Sequence, residues 1–76
     1  MSTQNKPQGM DEVVRNIRVE MARHDLTQAQ LAERLGISQV AVSKRLRGVV
    51  PISVAELLRV AELLNVSAAD LLRDAA

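Results

Sequence analysis

The chain has 76 residues, of which 47% are hydrophobic, and a formal net charge of +1 at pH 7, so we expect one small domain with a single core. It has no cysteine and one histidine, which excludes a disulfide framework, a thiolate metal site and a histidine cluster. No enzyme motif is recognisable, and we expect neither a catalytic site nor a metal or cofactor.

The first nine residues, MSTQNKPQG, are predicted to form a disordered tail because they are polar and include a proline and a glycine. Residues 10–76 are predicted to form the folded domain. Its first helix is expected from about Asp11 to His24, with a buried stripe at Val14, Ile17 and Met21.

Three arginines on this first helix, Arg15, Arg18 and Arg23, are interspersed with acidic residues. They could approach a phosphate from the side. Alternation of the two charges favours salt bridges on the helix surface instead.

One local pattern occurs four times after the first helix. An apolar residue precedes a Ser or Thr, and a second apolar residue follows four positions after the hydroxyl; the hydroxyls are those of Thr27, Ser38, Ser53 and Ser67. Each hydroxyl can cap a helix, which is worth about 1 kcal/mol, and the apolar pair has the spacing of a hydrophobic staple. Gln30 and Glu56 complete capping boxes, with Asp70 as a shorter version. Together with the first helix, these starts predict five helices and no strand.

The segment 27–48, TQAQLAERLGISQVAVSKRLRG, is predicted to form helices 2 and 3. Leu31, Ala32 and Leu35 have the spacing of a buried stripe, and Gly36 supplies the turn. Two helices joined by so short a turn cross steeply.

This segment resembles the helix-turn-helix of the lambda-repressor and Cro type, also called the xenobiotic-response-element-like (XRE-like) family. The matching positions are Gln28, Leu31, Ala32, Leu35, Gly36, Ile37, Val42 and Gly48. The resemblance implies an all-α, compact five-helix lambda-repressor-like DNA-binding domain in which helices 2 and 3 form the helix-turn-helix. The chain departs from the family pattern at Arg45 and Leu46, where the family usually has an apolar residue and often an acid. We expect Leu46 to anchor the helix while the Arg45 stem packs and its head reaches solvent.

Helix 4 is predicted from about Val54 to Leu64, after Pro51 has ended the preceding loop. Its expected buried residues are Leu57, Leu58, Ala61 and Leu64.

Helix 5 is predicted from about Ala68 to Asp74. Its adjacent Leu71 and Leu72 cannot both face the core in the same way. The second leucine is either part of a dimer seam or covered within the monomer.

Five residues of helix 3 lie on one face, which we call the reading face: Gln39, Val40, Ser43, Lys44 and Arg47. A Gln can bond adenine with two hydrogen bonds, a Lys can donate to guanine, and a Val can contact a thymine methyl group. The alternative is an ordinary solvated helix face. No acid occurs between Arg34 and Glu56, so this segment carries a local positive charge suited to phosphate.

The resemblance implies a role for each matching position. The base-reading residues would be Ser38, Gln39, Val40, Ser43 and Lys44, and the phosphate-contacting residues Gln28, Arg45 and Arg47. For Arg45 a solubilising role is the alternative.

Duplex DNA is the predicted partner, because the chain has no aromatic residue on which a single-strand or RNA module would stack bases. The resemblance implies a transcriptional repressor, such as a phage Cro-like or immunity repressor, acting as a homodimer on an inverted-repeat operator. Apolar runs are short and no signal peptide is recognisable, so we expect a cytoplasmic protein without membrane contact or small-molecule ligand. The alternatives are a helical protein-interaction module and an antitoxin.

Overall fold

Residues 9–74 are described by the structure, a computed structural model, and they form five α-helices without a strand. The helices are α1 (Gly9–Arg23), α2 (Gln28–Leu35), α3 (Gln39–Leu46), α4 (Val54–Leu64) and α5 (Ala68–Leu71). The all-α prediction is confirmed, and α4 has the predicted bounds. Of the predicted tail, residues 1–8 lie outside the described residues, and Gly9 is already the first residue of α1. Helix 5 ends three residues earlier than predicted.

The four predicted capping hydroxyls all begin helices. Each accepts a hydrogen bond from the backbone N–H three residues later, at 3.0–3.1 Å. At α2, α4 and α5 the side chains of Gln30, Glu56 and Asp70 accept in return from the backbone N–H of the cap residue. The four residues that begin at each capping hydroxyl therefore determine where these helices start.

The turn between α2 and α3 depends on Gly36. Its φ of 74° lies in the left-handed region, where a Cβ atom would be strained even though no neighbour lies within 4 Å of that position. Its N–H donates to carbonyls of the last turn of α2, and Ser38 then caps α3. This short connection joins α2 to α3 at the position predicted from the sequence.

The core lies where the five helices meet. Its least exposed large side chains, with at most 1% of their surface accessible, are Ile17, Val42, Leu64 and Leu71. Leu46 is also buried, which confirms it as the second anchor of α3. Leu71 is buried and Leu72 is 45% exposed, so the adjacent leucines separate as the sequence indicated.

The prediction that Leu58 is buried is wrong. Leu58 is 52% exposed, and Val60 occupies the core instead with 3% exposure. The buried positions of α4 are 57, 60, 61 and 64, the regular spacing of one helical stripe, and Leu58 lies about 100° from Leu57 around the axis. Leucine at that position leaves an apolar side chain on the outer face of α4.

At the C-terminal ends of three helices, backbone carbonyl groups accept hydrogen bonds from a side chain of another helix. Arg18 of α1 donates from Nε and Nη2 to the carbonyl of Leu46, at 3.2 and 2.7 Å. Arg59 of α4 donates to the carbonyl of Arg34 in α2, at 2.9 Å. The buried Asn16 amide donates to the carbonyls of Leu71 and Arg73, at 3.0 and 2.8 Å. These donors satisfy carbonyls that have no partner within their own helices.

The predicted salt bridges of α1 form for two of its three arginines. Arg15 pairs with Glu12, and Arg23 pairs with Glu20 at 3.5 Å. Arg18 is the exception, because it bonds the end of α3 rather than an acid.

The last turn of α3 is joined to the first turn of α4 by an ion pair between Arg45 and Glu56. Two parallel hydrogen bonds of 3.0 Å join the guanidinium to the carboxylate, and Arg45 Nη1 also donates to the carbonyl of Ala41 at 2.9 Å. Glu56 Oε1 accepts in addition from the N–H of Ser53 at 3.1 Å, so one carboxylate serves both the capping box and the ion pair. The hydrogen bonds from Arg45 and then from Ser53 lower the pKa of Glu56.

We expect Asn16→Ala to lower the free energy of unfolding by about 1–3 kcal/mol, because the carbonyl of Leu71 at the end of α5 and that of Arg73 just after it lose their buried donor. Urea denaturation followed by circular dichroism measures the change. Arg15→Ala is the matched control, since it removes an exposed side chain one residue away and should have little effect. Equal midpoints for both variants would contradict the assigned role of Asn16.

The lowered pKa of Glu56 predicts a pH dependence. A carboxylate whose pKa is lower in the folded state stabilises that state above its ordinary pKa of 4.5, and this contribution disappears as the pH falls through the lowered folded value. Wild type should therefore be more stable than Glu56→Gln at pH 7, and the difference should vanish below the folded pKa. Urea midpoints of both proteins between pH 7 and pH 2.5 test this. A difference that persists at the lowest pH would contradict it.

Candidate nucleic-acid interface

The helix-turn-helix presents one side of α3 to the interior and the opposite side to solvent. Val42 and Leu46 of α3 lie in the same core as Leu31 and Ala32 of α2. The exposed side chains of α3, those of Gln39, Val40 and Lys44, project away from this contact. Val42 and Leu46 therefore hold α3 against the core, and the exposed side chains lie on the opposite side of the helix.

The predicted base-reading residues lie together at the N-terminal half and outer side of α3. Ser38, Gln39, Val40 and Lys44 are exposed, and Ser43 is half-buried. Val40 is 63% exposed, and an apolar side chain so open makes little contribution to the core of this domain. Contact with a partner would bury it.

Ser38 and two residues of the reading face, Ser43 and Arg47, already form hydrogen bonds within the domain. The Ser38 hydroxyl accepts from the N–H of Ala41 at 3.0 Å, which leaves its O–H free to donate. Arg47 donates from Nε to the Ser43 hydroxyl at 3.2 Å, which brings these two side chains together. Lys44 has no side-chain hydrogen bond or ion pair with any part of the chain that the structure describes.

The loop after α3 is held against the helix. The backbone N–H groups of Val49 and Val50 both donate to the carbonyl of Lys44, at 2.8 and 3.3 Å. Gly48 has a φ of 77°, which turns the chain out of the helix. The segment 48–51 therefore leaves the end of the reading face in a defined direction.

Gln28 is the first residue of α2 and is half-buried. It lines a surface depression together with Arg18, Thr27 and Leu46. This depression joins the N-terminus of α2 to the C-terminus of α3, so backbone N–H groups and an arginine lie near one another.

The bond from Arg18 to the end of α3 is the feature of this region that the sequence analysis did not predict, since a surface salt bridge was expected there. A signal for it exists in the spacing of charges, because Arg15 and Arg23 each have an acid three residues before them, whereas Arg18 has none three or four residues away on either side. An arginine without a partner on its own helix is available to another element.

Arg45 lies in a different environment from Lys44 and Arg47. Its stem packs as expected, but its head bonds Glu56 rather than reaching solvent, and 21% of the side chain is exposed. The expectation of a solvent-exposed head is corrected accordingly. Contact with a phosphate stays a prediction, and it would require the guanidinium to leave Glu56 or to bond both groups.

The charge of this surface follows from that pairing. Arg45 neutralises Glu56, the acid nearest in sequence after α3, while Lys44 and Arg47 remain exposed. The outer side of α3 is therefore cationic although the whole chain carries a net charge of only +1.

None of the helices within residues 9–74 is both long enough and apolar enough to cross a membrane.

A comparison with protein families gives one match, to a family described as helix-turn-helix, over residues 14–71. The match runs from the first half of α1 to the last residue of α5 and includes both helices of the predicted motif. Comparisons with curated proteins and with solved structures give no match. The extent of the family match, together with the exposed cationic face of α3, shows that this chain belongs to the lambda-repressor/Cro-type, XRE-like helix-turn-helix family and is a transcription regulator that binds double-stranded DNA.

Proposed function

We propose that this protein is a sequence-specific repressor that occupies an inverted-repeat operator as a homodimer. The observation that carries the proposal is the exposed face of α3, where polar, apolar and cationic side chains lie together without an acid. An α-helix fits the major groove of B-DNA, and these side-chain types match the groups that base pairs present there.

Base reading is assigned to the N-terminal part of α3. Ser38, Gln39 and Val40 would lie closest to the base edges, with Ser43 and Lys44 farther along the groove. The exposure of Ser38, Gln39, Val40 and Lys44 supports this assignment, as does the free O–H of Ser38. Arg47 would approach the phosphate backbone of the DNA, because it lies at the end of α3 next to the loop 48–51.

Phosphate binding is assigned to Arg47 and to Gln28 at the start of α2. The first N–H groups of a helix favour an anion, and Gln28 can add an amide donor there. Phosphate contacts at both ends of the motif would fix the register of α3 in the groove.

The homodimer is proposed from the operator geometry and from exposed apolar residues. Two recognition helices about 34 Å apart would enter successive major grooves on one side of the duplex. Leu58 on α4 and Leu72 after α5 are two of the exposed apolar side chains that a second copy could cover. A phage repressor or a small chromosomal regulator in the bacterial cytoplasm fits this arrangement.

A protein-interaction role is the second candidate, with an antitoxin as one form of it. The observation that favours it is a groove between α4 and α5, lined mainly by Ala55, Leu58, Ala61, Val66 and Ala68. In that case the helix-turn-helix would serve as a scaffold or bind DNA only to regulate its own gene.

Selection of bound duplexes from a random DNA pool, at two salt concentrations, distinguishes these functions. We expect enrichment of an inverted repeat whose half-sites are about one helical turn apart. Sedimentation of the complex on the enriched duplex should give two protein chains per site. Absence of enrichment, with binding lost at moderate salt, would favour the interaction module.

Substitutions on the reading face should separate base contacts from phosphate contacts. Gln39→Ala should weaken operator binding by about 1–3 kcal/mol and relax selection at one or two base pairs. Arg47→Ala should weaken binding to all sequences similarly and reduce the salt slope by about one unit. Titrations of operator and random duplex over a range of salt concentrations measure both effects.

Arg73→Ala is the matched control for Arg47, because it removes the same charge from an exposed side chain after α5. It should change neither the salt slope nor the selected sequence. Equal losses on operator and random DNA for Gln39→Ala would contradict its base-reading role.

A further inference from the structure

We propose that the ion pair between Arg45 and Glu56 fixes the orientation of α3 and so determines how well the protein distinguishes its operator from other DNA. Arg45 is then a positioning residue, and Glu56 is its partner. This inference rests on the proposed function, in which the outer face of α3 reads bases.

The first argument is the rigidity of the contact. The guanidinium makes two bonds to Glu56 and one to the carbonyl of Ala41, so it is tied to both α3 and α4. A two-bond contact between an arginine and a carboxylate fixes direction as well as distance. Glu56 is itself held by the capping box with Ser53, which prevents the carboxylate from following a movement of α3.

The second argument is that the other contacts of α3 do not fix its rotation about its own axis. Val42 and Leu46 hold the helix against the core, but apolar contacts are not directional and fix its depth better than its rotation. Arg18 holds only the C-terminal carbonyl of α3. Among the contacts that the structure describes, the Arg45–Glu56 pair is the hydrogen-bonded link between a side chain of α3 and a side chain of another helix.

A small rotation of α3 matters for base recognition. At a radius of about 6 Å, a rotation of about 10° moves a side-chain tip by about 1 Å. Hydrogen bonds weaken steeply over such a change in geometry. The operator, which depends on bonds to base edges, should lose more affinity than random DNA, which depends on phosphate contacts.

The third argument is the direction in which Arg45 points. On the helical wheel it lies about 100° from Lys44 and farther from the other residues of the reading face. The structure agrees, because the Arg45 head bonds α4 on the protein side of α3. This placement suits contact within the protein better than contact with the groove.

The test compares two substitutions that break the pair from opposite sides. Glu56→Gln removes the negative charge and keeps a capping acceptor, as Gln30 does in the capping box of α2. Arg45→Met removes the positive charge and keeps an unbranched apolar stem. Dissociation constants are measured for the selected operator and for a random duplex over a range of salt concentrations, and circular dichroism confirms that each variant is helical.

We expect both variants to reduce the ratio of operator to random affinity by about three- to tenfold, and the double variant to be no worse than the more affected single variant. Glu56→Gln is the decisive variant. Loss of an acid should, by charge alone, strengthen binding to every DNA, whereas loss of positioning lowers the ratio.

Glu62→Gln is the matched control, because it removes the same charge from an exposed residue of α4 that has no described contact with Arg45. It should leave the ratio unchanged. Should Arg45→Met not fold, Arg45→Lys replaces it; this variant keeps the charge but loses the two-bond contact, and it should also lower the ratio.

Two other outcomes would overturn the proposal. An unchanged ratio for Glu56→Gln, together with equal weakening on both duplexes and a salt slope reduced by about one for Arg45→Met, would make Arg45 a phosphate contact. A ratio lowered equally by Glu62→Gln would assign the effect to net charge. Failure of the proposed function is distinct from both, because wild type would then prefer no sequence.

Discussion

The orientation of α3 is the constraint on which the DNA-binding surface depends. A helix of eight residues forms few internal hydrogen bonds and is not stable alone, so contacts from other helices must hold it. Two apolar side chains set its depth, Arg18 of α1 bonds its last carbonyl, and Arg45 joins it to Glu56 of α4. The surface that meets DNA is therefore determined by residues on the side of α3 that faces the protein.

The two ends of the short helices are completed in different ways. The starts of α2, α4 and α5 are capped by residues within three positions of one another, and these caps form from local sequence. The C-terminal carbonyls of α2, α3 and α5 are bonded by side chains of α1 and α4. Each such bond joins two helices, so it also fixes how they pack. These C-terminal carbonyls therefore gain their side-chain donors only when the helices pack together.

This difference explains what the sequence could predict. Helix starts, the Gly36 turn and the anchors of α3 follow from patterns within a few residues, and they are confirmed. The partners of Arg18 and Arg45 lie 28 and 11 residues away, at positions that no local spacing identifies. The prediction that Leu58 is buried is wrong because the sequence allows an apolar stripe that includes either Leu57 or Leu58. The burial of Val60 shows that the stripe of α4 that faces the core includes Leu57 and leaves Leu58 outside. The assignment of individual residues to bases and phosphates stays a prediction.

Four arginines of this chain differ in their consequences for DNA binding. Arg18, Arg45 and Arg59 donate to carbonyls or a carboxylate inside the domain, and Arg47 remains exposed beside Lys44 on the outer side of α3. Few free cations then face the duplex, so affinity for random DNA should be modest. A protein with weak attraction to phosphate must obtain its operator affinity from contacts that require accurate placement. The arginines that bond other helices would supply that placement, which makes them as relevant to recognition as the residues that touch DNA.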